Sequence, residues 1–331
     1  MAENILNIEG LKTYFYTEAG IVTAVDGVSF NLKKGESLGL VGESGSGKTV
    51  TALSVLRIVP KPGKIVDGKV EFDGEDLLKK SEKEMQRMRG SAISIIFQDP
   101  SSSLNPVYNV ETQLRDAIIA HQPVSKIEAR EKAIKLLEVV GIPEAETRMR
   151  EYPHQFSGGM KQRVAIARAL ACEPTLLFAD EPTTNLDVTI QAQVLNLLNE
   201  LKKKLGMSLV MITHDMGIIA EMTTRIVVLY AGRVCEIAKT RDLFEKPRHP
   251  YTAALLAAVP RLDMRKTLRV IPGNIPNLIE PPSGCRFHPR CNYAKQTCKE
   301  VVPVLEEVEP GHLVACHEWQ KIKLKGEKAT A

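Results

Sequence analysis

Apolar and polar residues alternate from residue 4 to residue 34, around Leu6, Ile8, Leu11, Val25, Val28 and Phe30, with turn signals at Gly10, Gly20 and Gly27. A period of two turns one face of a strand inward, so this stretch predicts an antiparallel β-layer divided at those glycines. Residues 64–73 extend the layer as a hairpin turning at Asp67-Gly68. Ser37–Val41 predicts a short buried strand, and Thr51–Ile58 a helix that stops before Pro60. Ile93–Phe97 predicts another strand, and the segment from about 100 to 170 reads as helical. Its clearest helix opens with Ser125 at the N-cap and Glu128 three residues on. Ile127, Ile134, Leu137 and Val140 give it an apolar face, and Gly141 with Pro143 ends it. Alternation then returns. Leu176–Ala179 is a strand, and Thr189–Leu205 a long amphipathic helix between Asp187 and Gly206. Lys202, Lys203 and Lys204 near its end complement the helix dipole. Ser208–Thr213 and Arg225–Tyr230 are strands, the second turning at Ala231-Gly232-Arg233. Strand–helix–strand alternation implies an α/β fold with a parallel sheet covered by helices.

The pattern breaks near Thr240. Ten of the nineteen prolines lie at or after Pro247, and Pro272–Pro289 has no period, so the C-terminal part reads as a loop-rich addition. Its helical piece is Tyr251–Val259, and Lys321–Lys328 reads as a frayed tail. A chain of 331 residues has room for a large domain and a small one. The net charge of +4 makes no case for nucleic acid. No apolar run approaches the roughly 20 residues of a membrane-spanning helix. The N-terminus carries no charged-then-apolar leader, so the cytoplasm is the expected compartment. Cys172 and Cys235 read as small core residues, whereas Cys285, Cys291, Cys298 and Cys316 crowd the C-terminal end. In a reducing compartment such a cluster favours a metal centre over disulfides.

Two stretches place glycines at a helix start. Gly42-Glu43-Ser44-Gly45-Ser46-Gly47-Lys48-Thr49 matches the P-loop pattern G-x-x-x-x-G-K-[ST], between a strand and a helix as that motif requires. Its glycines let backbone N–H groups converge on an anion at the helix N-terminus. Lys48 supplies a cation for the outer phosphates, and the Thr49 hydroxyl can hold Mg²⁺. A chance Gly/Ser-rich turn would not bring the strand, the lysine and the threonine with it. The second stretch is Phe156-Ser157-Gly158-Gly159-Met160, where Ser157 can cap a helix running to Ala171. A plain cap explains the serine but not the glycine pair, and a P-loop needs only one such helix start. Asp180-Glu181 ends the strand 176–179. Asp180 can bind Mg²⁺, directly or through water, and Glu181 can orient and deprotonate an attacking water.

In this order the motifs resemble those of the ATP-binding subunits of ABC transporters, over roughly residues 4–235. Gln98 stands where that family has its Q-loop glutamine, which contacts Mg²⁺ and senses the transmembrane partner. Ser157-Gly158-Gly159 is similar to the signature, and Asp180-Glu181 to Walker B with the catalytic glutamate. Asn185-Leu186-Asp187 resembles the D-loop, and His214 the switch histidine near the γ-phosphate. The signature departs from the commonest form at Phe156 and Met160, with its serine and glycines intact. The resemblance implies a P-loop NTPase (RecA-like) parallel-sheet core, an N-terminal antiparallel β-subdomain and a helical subdomain at about 100–170. A nucleotide-binding domain would occupy 1–240, and a small loop-rich C-terminal metal-binding domain 241–331. The implied ligands are ATP and Mg²⁺, with Thr49, Gln98 and Asp180 around the ion and Glu181, His214 and Gln98 as catalytic groups. An aromatic that stacks on adenine should precede the P-loop. Of Tyr14, Phe15 and Tyr16, strand alternation from Leu11 through Thr13 favours Phe15. Two cassettes pair head to tail in this family, and the signature loop of one closes over the ATP of the other. The implied partners are therefore a second ATP-binding subunit, related or identical, and two transmembrane permease subunits. An extracytoplasmic solute-binding protein would be reached only indirectly, and the chain would sit peripherally on the cytoplasmic face of the membrane.

Arg248–Leu256, Pro281–Cys291, and Gln98-Asp99-Pro100 through Leu104-Asn105-Pro106 resemble segments of dipeptide, oligopeptide and nickel importer ATPases. Peptide import is the first expectation, nickel or another small solute the second, and a non-transport ABC ATPase the third. Cys285, Cys291, Cys298 and Cys316 follow the spacing C-x5-C-x6-C-x17-C, which lacks the close pair usual in zinc sites. Four thiolates so spaced suit an iron–sulfur cluster, and the resembling region carries a [4Fe–4S] centre in some relatives. Zinc, with His288 and His317 at hand, is the alternative, and unligated thiols the third reading. A structural role is expected, since nothing else in the chain suggests redox chemistry.

Overall fold

The structure is a computed structural model that describes residues 3–258, 271–322 and 324. The chain forms two compact units, Met1–Lys79 with Met211–Ala331, and Lys80–Val210.

The first unit holds an antiparallel layer with Gly20–Lys33, Asn4–Thr17, Gly63–Phe72 and Glu75–Asp76 side by side. Leu6, Ile8, Leu11, Val25, Val28 and Phe30 are all buried, as their alternation predicts. Of the three glycines read as dividers, only Gly20 lies at a turn. Gly10 and Gly27 sit inside continuous strands at register shifts near Leu11, with φ of 57° and 82°. They belong to bulges, where an extra residue bends a strand without ending it. Asp67-Gly68 is likewise no turn, because Gly63–Phe72 runs straight through it. Gly68 lies opposite the Gly10 bulge, where a Cβ would stand 2.6 Å from Leu11 Cα. The strand turns only at Asp73-Gly74, which leads into Glu75–Asp76.

The same unit carries part of a mixed sheet, in the order Glu306–Glu309, His312–Val314, Arg233–Lys239, Arg225–Tyr230, Ser37–Val41. Ser37–Val41 runs parallel to Arg225–Tyr230, and the remaining neighbours are antiparallel. All five residues of Ser37–Val41 are buried, as in a strand covered on both faces. C-terminal residues therefore add the edge strands of this sheet. The predicted helix after the P-loop is found at Lys48–Val55, three residues early, because Gly47 makes the left-handed turn that starts it. Pro250–Ala257 forms the helix expected at Tyr251–Val259, with Val259 outside the described residues. The Lys321–Lys328 tail lies mostly outside them as well.

In the second unit Ile93–Ile96 and Leu176–Asp180 pair in parallel, with helices before, between and after them. The helix Lys126–Val139 has the predicted capping box, Ser125 and Glu128 each bonding the other's backbone N–H. Of its expected face, Leu137 and Val140 are buried and Ile134 is half-buried, and only Ile127 points outward. Ile127 is 73% exposed, and Ala129, Ala133 and Leu137 are buried. Alanines let helices approach closely, so a search for large apolar residues misses Ala129 and Ala133 and wrongly adds Ile127. Ser208–Thr213 is buried throughout and leads the chain back to the first unit. No described helix is long and apolar enough to cross a membrane.

Candidate active site

The buried strand Ser37–Val41 delivers the chain into Gly42 through Thr49. A Cβ on Gly42 would stand 2.1 Å from Leu229 O, and one on Gly47 2.4 Å from Ala24 O, both backbone atoms. Neither position accepts a side chain. Gly232 N–H donates to Ser46 O at 3.0 Å, which ties the loop to the 231–233 turn. Lys48 is buried, and its Nζ donates to Gly42 O at 2.8 Å and Glu43 O at 3.0 Å. The ammonium thus sits against its own loop, beside the N-terminus of Lys48–Val55, while Ser44, Gly45 and Thr49 are exposed. A helix start with a cation and exposed loop residues is suited to phosphate.

Glu43 has partners that the sequence reading missed. Arg290 grips both of its carboxylate oxygens, at 2.7 and 3.1 Å, and its backbone N–H donates to the Tyr251 hydroxyl at 2.8 Å. A signal was present, since an acid inside an anion-binding loop calls for a cation beside it.

The three aromatics before the loop have different surroundings. Tyr14 donates to Asp26 Oδ1 at 2.8 Å, and burial followed by that bond pushes its hydroxyl up to about 12. Tyr16 is exposed, with Lys64 5.5 Å over its ring. Phe15 is half-buried against Gly63. Thr13, two residues before it, meets Ser54 of the P-loop helix at 2.7 Å. His214 follows Ser208–Thr213 and is exposed, just before Asp215 caps the next helix.

In the second unit, Asp180 is buried at the end of its strand. Glu181 follows at φ 45°, a left-handed conformation that is uncommon for a residue other than glycine. Its Oε2 accepts from Gln98 Nε2 at 2.9 Å and Thr184 Oγ1 at 3.0 Å. Two predicted site residues 83 positions apart are thus brought into contact. Ser157 caps the helix Gly158–Ala169 by accepting from Met160 N–H at 3.3 Å.

A family model described as ABC transporter matches residues 25–184, and one described as oligopeptide/dipeptide transporter, C-terminal region, matches residues 235–298. A protein of Sinorhizobium fredii, named a probable peptide ABC transporter ATP-binding protein, is 51% identical over 95% of this chain and 95% of its own. The chain belongs to the ABC transporter ATP-binding proteins. The oligopeptide transport ATP-binding protein OppD of Escherichia coli is 49% identical over 95% of this chain and 93% of its own. A solved dimeric ATP-binding cassette, in a post-hydrolysis state bound to ADP and Pi, aligns with a TM-score of 0.64 at 28% identity. That alignment covers 71% of this chain and 99% of the other. The fold is that of an ABC ATPase, a mixed α/β sheet with an antiparallel β-subdomain. This ABC protein couples ATP hydrolysis to transport, with membrane permease subunits as its partners.

The C-terminal cysteines also converge. Cys285, Cys291, Cys298 and Cys316 all line one cavity of about 20 Å³, together with Phe287, Tyr293 and others. Burial pushes the Cys285 thiol up to about 11 and Cys316 up to about 12, and raises Cys291 as well. Four thiols around one cavity are the right donor set for a thiolate-bound centre. Yet among the described residues no group of three or more His, Cys, Asp or Glu is placed to hold a metal ion. The closed metal centre expected from the sequence is therefore not formed in this arrangement. The four sulfurs share one cavity without reaching ligand spacing. His288 Nδ1 lies 2.9 Å from Cys285 O and His317 Nε2 2.9 Å from Val301 O, so each has one ring nitrogen taken by backbone. Of the two remaining cysteines, Cys235 is buried as expected. Cys172 is only half-buried, with its thiol 3.7 Å from Ala117 O.

Proposed function

We propose that this chain is the ATP-hydrolysing subunit of an importer for di- or oligopeptides, peripheral on the cytoplasmic face of the membrane. The observation that carries the reading is one chain holding both the ABC motifs and an oligopeptide-type C-terminal region at 235–298. Residues 1–240 act as the nucleotide-binding domain, with its helical subdomain at about 100–170, and 241–331 as the importer-type extension. Gly42 through Thr49 hold the phosphates, Phe15 stacks on adenine, and Thr49, Asp180 and Gln98 surround Mg²⁺. Glu181 activates water, Gln98 and His214 assist it, and Ser157-Gly158-Gly159 cover the ATP of a second cassette. That second ATP-binding subunit is a related chain or another copy, and two permease subunits complete the complex. An extracytoplasmic binding protein delivers solute without touching this chain. The hydrogen bond from Gln98 to Glu181 supports the catalytic grouping.

Cys285, Cys291, Cys298 and Cys316 would hold a [4Fe–4S] cluster, with zinc as the alternative. Bound there, the group would tie a turn, a helix and a loop together as a structural link. Anaerobic purification followed by iron, sulfide and zinc analysis tests this, with about four irons per chain expected. One zinc and no iron would replace the cluster by a zinc site. For the function itself, the chain is expected to co-purify with polytopic membrane proteins, and the reconstituted complex to take up labelled dipeptides with ATP. Uptake of nickel but not of peptides would overturn the substrate.

A further inference from the structure

The turn around His288–Arg290 sends two buried arginines into the first unit. Arg286 holds the antiparallel layer, reaching Asp26 at 2.6 Å, Thr23 Oγ1 at 3.1 Å and the carbonyl of Ala231. Arg290 holds the P-loop. Its Nη1 donates to Glu43 Oε2 at 2.7 Å and to the Tyr230 hydroxyl at 3.2 Å. Its Nη2 donates to Glu43 Oε1 at 3.1 Å and Ile271 O at 3.4 Å, and its Nε to Pro272 O at 2.9 Å. A guanidinium has five N–H groups, and each of these has an acceptor. The side chain of Arg290 is only 5% exposed. Such a group is fixed in place and is not a surface cation that happens to be near an acid.

Glu43 is fixed from three sides. Arg290 takes its carboxylate, Tyr251 accepts from its N–H, and its carbonyl accepts from Lys48. Tyr251 is itself immobilised, packed 4.6 Å from the Tyr230 ring and 5.3 Å from that of Phe287. The electrostatics give this arrangement a purpose. A carboxylate in the loop that receives ATP phosphates repels them, and in a partly buried site that repulsion is weakly screened. Paired with a buried guanidinium, the same side chain becomes neutral overall and anchors the loop.

We propose that Arg290 and Tyr251, both from the C-terminal region, are positioning residues for ATP. Arg290 cancels the charge of Glu43 and fixes its side chain, while Tyr251 fixes the Glu43 peptide, so the loop is held ready for phosphate. This rests on Gly42–Thr49 being the ATP loop. It makes the C-terminal region part of the nucleotide site.

The test is steady-state ATPase kinetics of the complete transporter over a range of ATP concentrations. Arg290→Ala is expected to raise KM for ATP about tenfold, with a smaller change in kcat, because the carboxylate is unmasked. Glu43→Gln added to Arg290→Ala is expected to recover most of that KM, although it restores no packing. Tyr251→Phe should raise KM about threefold. If Arg290→Ala does not fold, Arg290→Gln, alone and with Glu43→Gln, reads the same effect with less loss of volume. A fall in kcat and melting temperature at unchanged KM would mean a purely structural role and overturn the proposal. So would failure of Glu43→Gln to lower the KM of the arginine variant. A wild-type complex with no ATP turnover would overturn the nucleotide reading and this proposal together.

Discussion

The two glycine-bearing helix starts are built on opposite plans. At Gly42–Lys48 the loop is held at several points, with only its tip at Ser44 and Gly45 exposed. Two glycines are pressed against backbone, Lys48 bonds back to the loop, and Glu43 is gripped by residues more than 200 positions away. At Ser157–Gly159 a single side-chain cap holds the helix start, and Ser157 and Gly158 are exposed. The two glycines there are not equivalent. A Cβ on Gly159 would stand 2.7 Å from Ile190 Cγ2, so packing within its own unit accounts for that glycine. A Cβ on Gly158 would meet only Leu186 Cδ2, at an ordinary 3.8 Å. Packing therefore leaves Gly158 unexplained, and a ligand approaching its N–H would explain it. Phe156, the departure from the usual signature, is buried, whereas Ser157 and Gly158 are exposed. The first loop is tied to its surroundings by packing and hydrogen bonds, and the second is exposed, as the proposed cover of another cassette should be.

Substitutions can break this contrast. The largest effect is expected from Gly47→Ala, whose methyl would stand 2.4 Å from Ala24 O at a backbone φ of 98°. The loop cannot keep its shape, and ATP binding by equilibrium dialysis should be lost. Next comes Glu181→Gln, which keeps both loops and removes the base. Turnover in the complex should fall by about 10²–10⁴-fold, with ATP still bound and the cassettes trapped together on size exclusion. Undiminished hydrolysis would remove Glu181 from its role. Smaller effects should separate the two signature glycines. Gly159→Ala must displace Ile190 and should cost about 1–3 kcal/mol of stability in thermal melting. Gly158→Ala should melt like the wild type, yet lower the ATPase of the assembled complex. Equal behaviour of the two would make the signature a packing feature.

What was legible in the sequence was local. The Ser125–Glu128 capping box forms where the residues predicted it, and the helices after Gly47 and Asp187 begin within three residues of their expected starts. Each depends on groups within a few positions of one another. The misreadings at Gly10, Gly27 and Gly68 have one physical cause. A positive φ serves a bulge, or the strand facing one, as well as a turn, and only strand pairing distinguishes them. The contact of Gln98 with Glu181 and that of Arg290 with Glu43 span 83 and 247 positions. Motif order singled out both members of the first pair, though not their contact, because both positions belong to known motifs. No motif contains Arg290, so only the fold shows that it reaches the P-loop.

The smallest expected effect makes the sharpest division between cap and cover. Ser157 Oγ accepts from Met160 N–H, so Ser157→Ala should cost the isolated chain about 1 kcal/mol by losing an N-cap. That loss alone does not tell a cap from a phosphate contact. Ser157→Asp does. Aspartate caps as well as serine, and its charge favours a helix N-terminus, so melting should return to the wild-type value. The same charge would meet the phosphates of an ATP closing onto this loop, and repulsion should keep the ATPase of the complex low. Stability and turnover then move in opposite directions for one substitution. Recovery of both would mean that Ser157 only caps its helix, and the contrast between a tied cradle and an exposed cover would lose its second half.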